Sequence, residues 1–359
     1  MLGAFSPRQR IGLAAVALAT AASGVMHYAG VDGRIVFPIV TIALAGLAWL
    51  VSLGTDALGN HVGPGLTGVL QSTLGNLPEL FVVIFALKAG EVVVAQTSIL
   101  GSLFANALLV LGLVIVVGAR ASKDGTMRFS ARLPNDTATL LLLTSFLIVL
   151  LGLSVTTDDH ASKHKVEISA AGAVVLLGVY FTWLYSYIRA DVRQTEDPQQ
   201  HASGEVPPLS LRTAIVLLAV AGAGAAFVSD WFIAALNPAI DALHFSKAFA
   251  GLVIVAIAGN AVENAAGISL AHKGKMDDAI SVVKNSVAQV AAFLFPVLVL
   301  ISLMFPQHLT FVLAPVYIGA LLITAIAVWQ VTGDGEATVP EGAALVGIFL
   351  MLAFLTFYE

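Results

Sequence analysis

Two glutamates, Glu79 and Glu263, stand inside long apolar runs of this 359-residue chain, each closing the same short motif. The first motif reads Gly75-Asn76-Leu77-Pro78-Glu79, the second Gly259-Asn260-Ala261-Val262-Glu263, 184 residues further on. A carboxylate placed within a bilayer costs at least about 2.5 kcal/mol, so such acids face a bundle interior or a water cavity and mark ion pathways. In each motif the asparagine precedes the acid by three residues, which puts Asn76 with Glu79 and Asn260 with Glu263 on one helical face. Ser98, Ser102 and Asn106 recur every four residues in the first half, and Ser281, Asn285 and Gln289 in the second, with Ser286 beside them.

All of these donors are oxygens. Two carboxylates among amides and hydroxyls suit a hard cation, calcium above all, whose flexible shell takes about six to eight oxygens. Cysteine is absent and the histidines are scattered, so the ligands that zinc or copper prefer are missing. Gly75 and Gly259 allow close helix approach. Pro78 is expected to kink its helix and free carbonyls toward a cavity. Protons and a cation would compete for the same two acids. If the empty, doubly charged pair cannot cross between facings, binding one or the other becomes obligatory, and the chemistry is antiport. The plainer role for the serines and asparagines is hydrogen bonding between helices.

The elements that must hold these residues are membrane helices. Hydrophobic residues make up 58% of the chain and charged ones 11%, against about 25% charged in soluble domains. Eleven spans are read near 10–28, 36–53, 65–88, 91–118, 135–154, 166–189, 210–228, 246–272, 277–304, 309–331 and 341–358. Helix is the form that satisfies its own backbone in lipid, and the alternation of a barrel is absent. Of 17 basic residues, 11 fall in loops that are cytoplasmic when the N-terminus is inside; Arg34, Lys88, Lys163, Lys165 and Lys247 fall outside, and Lys284 within a span. That bias sets the N-terminus inside and the C-terminus outside. Asp230 and Asp241 read as an amphipathic segment ahead of span eight.

Sliding the halves by 184 residues also brings Gly90 onto Gly274, Ala95 onto Ala279 and Ser102 onto Ser286. The chain therefore divides into an N-terminal helix (1–34), a first five-helix repeat (35–189), a polar, acidic linker (190–208) and a second five-helix repeat (209–359). Five is odd, so the second repeat enters from the opposite side, the inverted plan of secondary transporters with ion sites near the midplane. The fold class is an all-α polytopic membrane protein with eleven transmembrane helices, one leading helix plus two inverted repeats.

At these residues the chain resembles the calcium/proton exchanger family of the cation/calcium antiporter superfamily. The resemblance spans nearly the whole chain. It rests on Gly75–Glu79 followed by Phe85-Ala86-Leu87-Lys88, on Gly259–Glu263 followed by Lys273-Gly274-Lys275-Met276-Asp277, and on Ser98, Gly101-Ser102, Asn106 and Gln289. It implies that Glu79 and Glu263 alternately carry cation and protons. The chain departs from the family's pattern with Asn264 where a histidine is usual, with Asn285-Ser286-Val287 in place of Gly-Ser-Ser, and with Leu77-Pro78 in the first motif. Lys284, one residue from the second stripe, either faces away and pairs elsewhere or reaches the site as a fixed positive charge; with Asn264 it is the candidate for setting selectivity. The reading is thus a calcium/proton antiporter that transports its ions and needs no cofactor, with a monovalent or other divalent cation as the alternative substrate. An intramembrane lipid pyrophosphate phosphatase is the remote alternative, disfavoured because no arginine clamp for phosphate lies deep in any span. The partners are the bilayer and the transported ions, not nucleic acid; homo-oligomerisation is left open. The composition, rich in Ala, Gly and Val without an organelle address, suggests a bacterial plasma membrane.

Overall fold

The computed structural model describes residues 5–62, 74–194 and 209–359, with the side chains of 60, 62, 132–134, 187, 188, 190–194, 262 and 263 outside the description. The linker reading at 190–208 therefore lies almost wholly outside the described residues. Helices run in the order α1 (Pro7–Tyr28), α2 (Gly33–Val62), α3 (Leu77–Lys88), α4 (Val92–Ala121), α5 (Arg132–Thr156) and α6 (Lys165–Gln194). They continue with α7 (Leu211–Leu243), α8 (Lys247–Gly259), α9 (Ala261–His272), α10 (Met276–Ser302), α11 (Pro315–Thr332) and α12 (Val339–Phe357). Among the described residues nine helices are long and apolar enough to cross a membrane, or ten if α8 and α9, bent by 56°, form one span. The expected span at 65–88 falls partly outside the described residues, and α3 is its described part. The one departure from an all-helical reading among them is an antiparallel ribbon of β1 (Thr126–Arg128) and β2 (Glu336–Thr338).

Several features differ from expectation: α2 runs past 53 to Val62, and three others have local reasons. Span seven does not stop near 228: α7 continues through Asp230 and Asp241, both exposed, to Leu243. Trp231, Phe232, Ile233, Leu236 and Ala239 are buried along that extension, and an amphipathic period at helical spacing propagates a helix past two isolated carboxylates. Span ten begins at Pro315 rather than 309, since proline suits the first helical position and cannot donate within an earlier turn. Pro78 is the second residue of α3; it opens a helix instead of kinking one, and the interruption is the Gly75-Asn76 turn before it.

Two compact units emerge, each drawn from both halves of the chain. One comprises residues 1–85 and 181–244, the other 86–180 and 245–359. In the first, α2 and α7 pack along their lengths. Phe37 and Phe232 rings lie 5.1 Å apart, and a Cβ at Gly33 would come within 2.9 Å of Pro238, at Gly224 within 2.9 Å of Leu47. α1 leans on α2 where Gly12 meets Trp49 and Val16 meets Gly46.

In the second unit, α4 and α8 approach backbone to backbone: a Cβ at Gly101 would overlap Leu252, and one at Gly251 would overlap Thr97. At one end of this unit the β-ribbon joins the α4–α5 and α11–α12 loops, and the Ser130 amide donates to Asp277 Oδ1 at 2.7 Å. At the other end Lys247 pairs with Glu91 at 2.6 Å, Ser246 donates to the Thr356 carbonyl, and the Phe311 amide donates to Ser169 Oγ at 3.1 Å. Each group of loops therefore shares one end. Outward-facing Phe146, Leu153 and Phe354 are 61%, 57% and 62% exposed, apolar surface suited to lipid.

Candidate cation-binding site

Both Gly-Asn-x-x-Glu motifs sit at helix interruptions. Gly75 and Asn76 form a turn before α3, and Asn260 is the non-helical residue between α8 and α9. The local hydrogen bonding is the same in the two places: the Leu80 amide donates to the Asn76 carbonyl at 3.0 Å, and the Asn264 amide to the Asn260 carbonyl at 3.0 Å. The acids thus occupy the first turns of α3 and α9, at the partly positive end of each helix dipole. Glu79 is buried at 4% exposure and Asn76 at 2%. Both belong to the first unit. Glu263 is placed on α9, and its side chain lies outside the described residues.

The remaining members belong to the second unit, and most of them meet. Asn106 on α4 donates one Nδ2 hydrogen to Asn260 Oδ1 at 3.0 Å and another to Ser286 Oγ of α10 at 2.8 Å. Asn260 Nδ2 donates to Ser102 Oγ at 2.9 Å and to the Ala256 carbonyl at 2.9 Å. Ser102, Asn106, Asn260 and Ser286 are all nearly inaccessible. An amide has two N–H donors, so both asparagines spend theirs inside the network, and what each can still offer is acceptor oxygen. A cation requires acceptors.

Two expected members behave differently. Ser98 is buried but donates its hydroxyl to the Val94 carbonyl of its own helix at 2.6 Å, so it supports α4 without joining the interhelical network. Gln289 is buried at 9% exposure and ends the regular part of α10, where a π segment, Val290–Leu294, begins. A second π segment, Ala105–Val110, contains Asn106. A π turn takes an extra residue and re-aims the side chains on it, which no four-residue stripe in the sequence reveals.

Lys284 has its polar partner on a different helix from that network. Successive residues turn by about 100° around a helix, so Lys284 and Ser286 lie on opposite sides of α10. Lys284, fully buried, donates from Nζ to Thr332 Oγ1 of α11 at 3.1 Å, while the Thr137 hydroxyl of α5 donates to the Lys284 carbonyl at 3.4 Å. Thr144 repeats the contact one heptad on, to the Ala291 carbonyl at 3.2 Å. Thr137, Thr144 and Thr332 carry no sequence signal of this role, because threonine in apolar helices ordinarily bonds its own backbone, as Thr332 also does to Val328 at 2.6 Å.

Helices that open on two Gly-Asn-x-x-Glu motifs, and within the second unit a buried amide–hydroxyl network, mark a membrane transporter for ions rather than an enzyme. The family described as sodium/calcium exchanger protein matches residues 34–189 and 213–358, and the chain belongs to it; within it the likeness is to the calcium/proton exchangers of the cation/calcium antiporter superfamily. Among curated relatives, the Ca(2+)/H(+) antiporter of Synechocystis is 30% identical over 354 residues, covering 93% of both chains. The Ca(2+)/H(+) antiporter ChaA of Bacillus subtilis is 28% identical over 330 residues, 91% of this chain and 92% of that one. The solved structure of native YfkE superposes with a TM-score of 0.81 at 25% identity, covering 97% of this chain and all of that one. The structure of the H+/Ca2+ exchanger CAX, at 16% identity, shares the fold with a TM-score of 0.77 over 98% of this chain and 93% of that one.

Proposed function

We propose that the chain exchanges calcium for protons by alternating access, with Glu79 and Glu263 carrying cation and protons in turn. The observation that carries this is the recurrence of one device at an offset of 184 residues. Each Gly-Asn-x-x-Glu opens a twelve-residue helix, Leu77–Lys88 and Ala261–His272. A glycine in the left-handed region follows each, Gly90 at φ 80° and Gly274 at φ 77°. The polar-striped helices then start at Val92 and Met276, again 184 apart. Chance does not align helix bounds, turn conformation and two costly acids together. The names of the relatives, calcium/proton antiporters in both bacteria, fit the same exchange.

The same recurrence favours eleven spans as a leading helix and two inverted repeats. The orientation, N-terminus inside and C-terminus outside, agrees with the grouping of loops. β1, β2 and Asp277 share one end of the second unit, and the expected topology puts all three on the cytoplasmic side. A bacterial plasma membrane remains our reading of its location. The monovalent alternative loses the support of Lys284, whose ammonium is turned toward Thr332.

Purified protein in vesicles with an imposed pH gradient tests the exchange. Calcium is expected to dissipate the gradient, and Glu79→Gln and Glu263→Gln to abolish that response. Dissipation by sodium or potassium alone, or calcium response surviving in both variants, overturns the proposal.

A further inference from the structure

Two buried oxygens next to the network have no donor among the described residues. Asn264 Oδ1 and Asn285 Oδ1 are both withdrawn from solvent and accept no hydrogen bond. A buried amide oxygen without a partner loses its water and gains nothing in return, so such an atom calls for an explanation. A bound group that supplies positive charge provides one.

Both residues stand on the helices that carry the network, Asn264 on α9 and Asn285 on α10. Asn264 follows Asn260 by one helical turn, its amide bonded to the Asn260 carbonyl, so its side chain stands on the same face as the asparagine that holds Ser102 and Asn106. Asn285 immediately precedes Ser286, which accepts from Asn106 at 2.8 Å. α9 and α10 form an antiparallel hairpin through the turn at Gly274. Its register is set where Gly267 meets Val283, a Cβ there lying 3.1 Å from Val283 Cγ2. Three residues back from Gly267 is Asn264, and three on from Val283 is Ser286. At about 1.5 Å rise per residue the two helices of the hairpin therefore bring Asn264 and Ser286 to one depth, with Asn285 one residue earlier and about 100° round α10 from Ser286.

We infer that the amide oxygens of Asn264 and Asn285 are two neutral ligands of the transported cation, supplied by α9 and α10 of the second unit. This rests on the cation-exchange reading above. Neutral oxygens raise the ligand number toward the six or more that calcium takes, at about 2.3–2.6 Å, without adding a group that protons compete for. The exchanging acids and the shell-filling amides are then separate parts. Calcium affinity can be set by the amides while proton competition stays with the glutamates.

The test uses full-length protein in vesicles, reading calcium-triggered dissipation of the pH gradient across calcium concentrations. Asn264→Leu and Asn285→Leu keep the branched side-chain shape and remove the oxygen. Each is expected to raise the KM for calcium about ten-fold, the loss of one polar contact to a charge, with the maximal rate retained and the factor the same at each pH. Asn264→Asp and Asn285→Asp keep an oxygen and add charge. They are expected to hold or lower KM at alkaline pH and to lose that advantage toward acid, because the new carboxylate takes protons. A calcium-dependent thermal shift of each detergent-purified variant separates lost binding from lost folding: a wild-type basal Tm with a smaller calcium-induced shift is the expected result. Unchanged KM in both leucine variants, or equal impairment by leucine and aspartate at all pH values, overturns the inference while leaving the exchange reading intact. A wild-type protein that ignores calcium sinks both.

Discussion

At the residue scale the chain separates its charges by helical face. Ser286 turns to Asn106, and Lys284, two residues earlier on α10, turns to Thr332. A lone ammonium buried against a hydroxyl is poorly compensated, since a single neutral oxygen replaces a full hydration shell. Lys284→Met, which keeps length and removes the charge, is therefore expected to leave the KM for calcium unchanged and to hold or raise the Tm. A calcium titration of vesicles and a melting curve check this; a large shift in KM would mean that the charge reaches the ion. The glutamates were the most legible residues in the sequence, because an acid in an apolar run has few structural excuses. The stripe was only partly legible. Ser102, Asn106 and Ser286 share one network, whereas Ser98 serves its own helix, a difference decided by which way each hydroxyl points.

At the scale of elements, glycine and π turns do the positioning. Gly101 and Gly251 let α4 and α8 touch backbone to backbone, which brings Ser102 and Asn260 within hydrogen-bonding distance. Gly101→Ala and Gly251→Ala force a methyl into backbone or a buried threonine, and each is expected to destabilise by about 1–3 kcal/mol and to impair transport, read as a lower Tm and a slower calcium response. The β-ribbon is held differently. Arg128 bridges Asp124 at 2.6 Å and Glu336 at 3.0 Å, all three about half exposed or more, so water and salt screen the pairs and their contribution is small. The Arg128 guanidinium holds the Asp124 carboxyl below its ordinary 3.8, and the two acids in turn raise the guanidinium. Because the folded-state value of Asp124 is depressed, its stabilisation is present above about pH 3.8 and lost as pH falls through the lower folded value. The Tm difference between wild type and Arg128→Gln is expected to be small, salt-sensitive, and to shrink only below that range. A difference that instead changes near neutral pH would assign the clamp to other groups.

At the scale of the whole molecule, sidedness is the property most open to direct test. The chain has no cysteine, so single cysteines report without background. Lys123→Cys and Asp334→Cys are expected to react with an impermeant thiol reagent only from the cytoplasmic side. Asp159→Cys and Gln307→Cys are expected to react only from the opposite side. All four positions are exposed. Reactivity of the two pairs from the same side would overturn the odd-numbered inverted repeat; reversal of both pairs would overturn only the orientation.

Composition and apolar run length by themselves determined that this is a helical multi-pass membrane protein, and the 184-residue recurrence singled out its two motif acids. Those properties follow from free energies summed along the chain: a span must be apolar for about 20 residues, and an acid inside one stands out wherever it is. What the tertiary structure alone decided is which polar groups meet. The run from 246 to 272 breaks at Asn260, α7 outlasts its purest apolar stretch, Asn106 meets Asn260 from a π turn, and Lys284 finds Thr332. Each of these depends on partners far away in sequence, through close backbone approach or a hydrogen bond, and no local period encodes the other half of such a contact.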